Sequence, residues 1–119
     1  MYGNPQRRDA PETLELRRQA GRWLKALREE AGLSQRQLAT KVGSDYYTFI
    51  SQLESGRGRI PPDKYLVWAA ALACDPREFV KEIMRFYDPV TYGILFARAD
   101  DGYAPRNLRP ANDVVANQV

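Results

Sequence analysis

Between Ser34 and Glu54 the chain sets two short apolar-patterned stretches on either side of a single glycine, Gly43, and this pairing limits the fold more than any other feature. Ser34 is a helix-capping residue, whose hydroxyl can accept the orphan N–H of Arg36 or Gln37. Leu38, Ala39 and Val42 follow at three- and four-residue spacing and so share one helix face. Gly43 is free to take the positive φ at which helices stop, and a tight turn follows. Ser44 and Asp45 are competent caps for the next helix, which has Phe49, Ile50 and Leu53 as its apolar positions. Gly56 and Gly58 end it, with Arg57 and Arg59 alternating between and after them.

The rest of the chain reads as further helices around this pair. Asp9-Ala-Pro-Glu12 has the cap, the first-turn proline and the reach-back carboxylate of a helix start. Leu16, Ala20, Trp23, Leu27 and Ala31 then form one stripe, which Gly32 ends. Pro61 and Pro62 open a fourth helix, Asp63 to about Ala73, apolar enough to be central to the core. Asp75-Pro-Arg-Glu78 launches a fifth, to about Tyr87, with Phe79, Ile83, Met84 and Phe86 inward. Trp23 and Trp68 sit on apolar stripes and read as core. Beyond Asp88-Pro89, the run Thr91-Tyr-Gly-Ile-Leu-Phe96 is short and rich in β-formers, which predicts a strand paired with the core or with a second chain. The expected organisation is a flexible arm over 1–10, a helical domain over 11–87, a dimerisation segment over 88–99 and a mobile tail over 100–119.

Composition removes most enzymatic chemistry. The 119 residues contain no histidine and one cysteine, Cys74. That excludes His-based acid–base work, Ser-His-Asp triads, Cys/His zinc sites and any disulfide within the chain. Cys74, in an Ala-rich run, reads as a small buried hydrophobe. Glu29-Glu30 and Asp100-Asp101 are adjacent in sequence rather than set across a cleft, and Gly56-Arg-Gly-Arg59 lacks the Lys-Ser/Thr of a nucleotide loop. No metal and no cofactor is expected, and no enzyme. No stretch approaches the roughly 18–20 apolar residues of a membrane span, and the first residues do not read as a signal peptide, so the expected location is the cytoplasm. The net charge is +3. Its excess lies in the first half: residues 32–62 carry four basic and two acidic groups, whereas residues 88–119 carry three and four.

A short helix, a glycine turn and a second helix with a polar outer face can lay that second helix in a DNA major groove. The text that carries this unit, Leu27-Arg-Glu-Glu-Ala-Gly-Leu-Ser-Gln-Arg-Gln-Leu-Ala-Thr-Lys-Val-Gly43, then Ile50-Ser-Gln-Leu-Glu-Ser-Gly56, then Pro61 and the Ala-Leu-Ala ending of the fourth helix, resembles the XRE family of Cro-like and phage-repressor-like helix-turn-helix proteins. The resemblance spans roughly residues 20–80 and rests on several spaced elements agreeing at once.

It implies an all-α, five-helix, lambda-repressor-like domain with a short C-terminal extension. It further implies that Gln35 holds a DNA phosphate, that Tyr47, Thr48, Ser51 and Gln52 form the base-reading set, that Arg57 and Arg59 contact phosphates, and that Arg28 and Glu54 form a structural ion pair. The interval from Gly43 to Glu54 is one residue longer than the family's usual spacing. The surplus falls in residues 44–47, which leaves the reading register open by one position and adds Tyr46 to the candidates. The expected function is a dimeric, sequence-specific regulator of double-stranded DNA, a repressor acting on an inverted-repeat operator. Two alternatives stay open: an antitoxin that also binds a toxin protein, and a protein-interaction adaptor that no longer touches DNA.

Overall fold

In the computed structural model, residues 11–96 are described, and all of their regular structure is helical. Helix α1 spans Pro11–Glu30, α2 Gln35–Val42, α3 Thr48–Glu54, α4 Tyr65–Ala71, α5 Pro76–Tyr87 and α6 Pro89–Phe96, with a 3₁₀ turn at Pro62–Lys64 before α4. The sequence-predicted arm over 1–10, the cap at Asp9 and the tail over 100–119 lie outside the described residues, as does the end of the 88–99 segment.

Local signals set most of the boundaries. Ser34 closes a full capping box on α2: its Oγ accepts from Gln37 N at 3.0 Å, and Gln37 Oε1 accepts from Ser34 N at 2.7 Å. At the other end Gly43 sits at φ 76°, ψ 28°, and the Ser44 N–H reaches back to Ala39 O at 2.9 Å, satisfying a terminal carbonyl. Asp75 caps α5 through a 3.0 Å bond from Glu78 N, with Pro76 in the first turn.

Helices α1 to α5 then close on one core, with α6 lying against α5 outside it. Helix α1 packs on α3 and α5, α2 on α3 and α4, α4 on α5, and α5 on α6. Leu24, Leu38, Ile50, Leu53, Ile60, Trp68, Phe79 and Ile83 are its largest fully buried side chains. Each contributes about 1.5–3 kcal/mol of hydrophobic burial. Trp23 is half-buried rather than central, and its ring lies 5.4 Å from Phe79 and 5.8 Å from Phe86. Cys74 is likewise half-buried, and desolvation raises the pKa of its thiol.

Four further expectations change. The inward line of α1 runs through Thr13, Ala20, Gly21, Leu24 and Arg28; Leu16, Trp23 and Leu27 flank it and Ala31 is exposed. Gly21 lies on this line because a Cβ there would collide with the backbone oxygens of Leu53 and Glu54, so α3 rests directly on the α1 backbone. The third helix begins at Thr48, with Tyr47 as an uncapped N-cap, rather than from Ser44 or Asp45; Ser44 Oγ instead bonds Tyr46 O at 3.1 Å within the turn. The fourth helix is shorter than 63–73 and not wholly internal, since Leu66 is 71% exposed while Trp68 and Ala69 are buried.

The run expected as a strand is helix α6, a sixth helix. Asp88 accepts Thr91 N at its Oδ1 (3.2 Å) and Tyr92 N at its carbonyl (3.0 Å), Pro89 opens the first turn, and the Tyr92 and Phe96 rings meet at 5.1 Å, four residues apart. Capping and packing on α5 outweigh the β-propensity of Thr, Tyr, Ile and Phe.

Candidate nucleic-acid interface

The centre of the site is the outward face of α3. Because Ile50 and Leu53 point inward, Thr48, Ser51 and Gln52, three and four residues apart, share the exposed side. Among the described residues no hydrogen bond engages the side chains of Thr48, Ser51 or Gln52. Their donors and acceptors are available to an external partner.

What holds this face steady is a buried polar knot behind it. Arg28 donates from Nε to Glu54 Oε2 at 2.6 Å and from Nη2 to Oε1 at 3.0 Å, with the two side chains only 10% and 6% exposed. Its third donor, Nη1, reaches Leu33 O at 2.9 Å. Gln35 Nε2 completes the group by donating to Glu54 Oε1 at 3.0 Å. One carboxylate at the end of α3 is thus tied to the last turns of α1, the connecting loop and the first residue of α2. The hydrogen bond to Glu54 drives the Arg28 pKa further up, against desolvation, so the guanidinium stays charged. The expected ion pair is present, and Gln35, expected at a phosphate, lies at the edge of the same knot.

The longer turn resolves into a loop ahead of α3. Tyr46 projects at its tip, 73% exposed, and Tyr47 stands 40% exposed at the N-cap. The Arg36 guanidinium lies over the Tyr47 ring, 4.3 Å from its centroid, a contact that joins the starts of α2 and α3. Nothing in the sequence signals it, since the two residues are eleven positions apart across a turn.

The arginines beyond α3 occupy different settings. Arg57 is exposed in the loop, and its backbone N–H closes the helix end on Gln52 O at 2.8 Å. Arg59 lies over the Tyr87 ring at 4.9 Å, with Arg17 at 5.6 Å from the same ring. The Tyr87 hydroxyl accepts the buried Ile60 N–H at 3.1 Å, which fastens the loop to the end of α5. Burial, more than any other cause, raises the Tyr87 pKa. The sequence marks Tyr87 only as the end of a helix, and no local pattern signals its bond to Ile60.

Charge in this region is one-sided. Residues 34–60 carry Arg36, Lys41, Arg57 and Arg59 against Asp45 and Glu54, and Glu54 is already neutralised by Arg28. A surface of net positive charge around a polar helix face attracts a polyanion. Among the described residues no cluster of three or more His, Cys, Asp or Glu side chains is placed to hold a metal, and no helix is long and apolar enough to cross a membrane.

Comparison with known proteins adds three findings. A helix-turn-helix family profile matches residues 24–79. The chain is similar to the restriction-modification controller protein C.AhdI from Aeromonas hydrophila, a crystal structure, at 30% sequence identity, covering 59% of this chain and 98% of that one, with a TM-score of 0.47. No curated protein matches.

Proposed function

We propose that this chain, a member of the XRE-type helix-turn-helix family of DNA-binding transcription regulators, is a sequence-specific, dimeric repressor of double-stranded DNA that reads the major groove with α3. The observation that carries this reading is the face of Thr48, Ser51 and Gln52, unengaged among the described residues and held in orientation by the Arg28–Glu54 pair. In the proposed complex Gln52 bonds an adenine edge, and the Thr48 methyl touches a thymine. Gln35, Arg57 and Arg59 hold phosphates on either side, and Tyr46 reaches toward the groove from the turn. The protein acts in the cytoplasm, without cofactor and without catalysis.

Dimerisation supports this by matching two half-sites about one helical turn apart. We assign the contact to α5 and α6. Val90, Ile94 and Leu95 are 48%, 57% and 59% exposed on α6, beside a groove lined by Val80, Met84 and Phe96. The same apolar face favours the second reading, an antitoxin or adaptor in which another protein occupies it.

Selection of duplexes from a random library at about 150 mM salt, where nonspecific binding is weak, tests the proposal. An inverted repeat is the expected outcome; absence of any enriched sequence would overturn it in favour of the second reading. With that duplex in hand, Gln52→Ala should cost about 1–3 kcal/mol and relax choice at one base pair, whereas Arg59→Ala should weaken all sequences alike and lower the salt slope by about one.

A further inference from the structure

We infer that Arg36 is a DNA-phosphate contact held in place by the ring of Tyr47, so that Tyr47 serves as a positioning residue rather than a base reader. The inference rests on the DNA-binding reading above, adds Arg36 to it and changes the role that the family resemblance implies for Tyr47. Arg36 is the second residue of α2, next to Gln35, and Tyr47 is the N-cap of α3. Their stack therefore bridges the beginnings of the two helices that meet the duplex.

Three observations lead to this assignment. The guanidinium lies 4.3 Å from the ring centroid, well inside the range of a cation–π contact. Among the described residues no hydrogen bond engages the Arg36 guanidinium, so its N–H donors are available for bidentate capture of a phosphate. Among the described residues, Arg18 and Arg22 are paired with Glu15, Arg28 with Glu54 and Arg85 with Glu82, while no carboxylate pairs with Arg36. Arg36 is thus a cation fixed in direction but unneutralised, beside the exposed face of α3. For Tyr47, the consequence is that the ring face nearest α2 is covered and cannot stack on a base.

The longer turn gives this arrangement its physical basis. Residues 44–47 run as a loop in which Ser44 Oγ bonds Tyr46 O, and α3 starts only at Thr48. Tyr47 therefore stands before the helix, turned toward α2, instead of on the outer face with Thr48, Ser51 and Gln52.

The test is binding of the full chain to its selected duplex across a salt series, for Arg36→Ala, Tyr47→Phe, Tyr47→Leu and the double variant Arg36→Ala/Tyr47→Leu. Both side chains are exposed, and a thermal melt confirms that each variant folds. Arg36→Ala should lose about ten-fold in affinity on every sequence and lower the salt slope by about one. Tyr47→Phe keeps the ring and should bind as the parent does. Tyr47→Leu should lose roughly two- to five-fold, the worth of an exposed cation–π contact, with base preference unchanged. The double variant should be no weaker than Arg36→Ala alone, since Tyr47 acts only through Arg36. If the parent binds its duplex but Arg36→Ala leaves the salt slope unchanged, or Tyr47→Leu alters base preference, this inference is overturned while the DNA-binding reading stands. A parent protein that binds no duplex overturns both.

Discussion

Replacing Gly21 with alanine tests whether the face of α3 is set by its direct contact with α1. A Cβ at this position would lie 2.4 Å from Glu54 O and 2.6 Å from Leu53 O, both backbone atoms that no rotamer change can move. Ordinary contact begins near 3.4 Å, so α3 must retreat by about 1 Å. In a free helix Gly→Ala is favourable by about 1 kcal/mol. Here overpacking costs about 1–3 kcal/mol, and displacement strains the Arg28–Glu54 bonds, whose lengths of 2.6 and 3.0 Å leave little slack. The expected net is a loss of about 1–2 kcal/mol, equivalent to a fall in Tm of roughly 5–15 °C for a domain of this size. DNA affinity should fall further than the lost stability alone accounts for, because the reading face moves. Calorimetry and a binding titration on the same preparation measure both. A Gly21→Ala protein that is as stable as the parent or more so would show that α3 does not depend on this contact, and the reasoning would fail.

Three further perturbations address the supports of the site. Glu54→Ala leaves the buried Arg28 guanidinium uncompensated and should cost about 3–5 kcal/mol in urea unfolding, with the midpoint shifted at constant m. Tyr87→Phe strands the buried Ile60 N–H and should cost about 1–3 kcal/mol by the same measurement. The phenol also predicts a pH dependence. Its pKa is raised in the folded state, so the unfolded chain releases this proton first; the Tyr87 contribution is present below about pH 10 and is lost as pH rises through the folded value. Tm should therefore decline in that alkaline window, less steeply in Tyr87→Phe than in the parent. Ser34→Ala opens the capping box and should cost about 1 kcal/mol, with faster amide exchange at the start of α2.

The sequence by itself determined the punctuation of the fold. The caps at Ser34 and Asp75, the glycine stop at 43 and the proline that opens α5 are all legible, because each acts through hydrogen bonds or steric limits within a few residues of itself. The exposed set Thr48, Ser51 and Gln52 follows from the helical period once Ile50 and Leu53 are recognised as inward. The Arg28–Glu54 pair came from the family resemblance, since residues 26 positions apart leave no local trace. The Asp88-Pro89 start of α6 was equally present in the chain, yet the β-formers after it pointed to a strand, and only packing on α5 decides between them.

Tertiary structure alone decided the remainder. The inward line of α1 turns on how closely α3 can approach Gly21, the start of α3 on how residues 44–47 fold back toward α2, and the stack of Arg36 on Tyr47 on the angle between two helices. A sequence pattern records which side chains share a face of one element. The distance and rotation between elements emerge only when helices α1 to α5 pack against one core, and that is where the orientation of the DNA-facing surface is set.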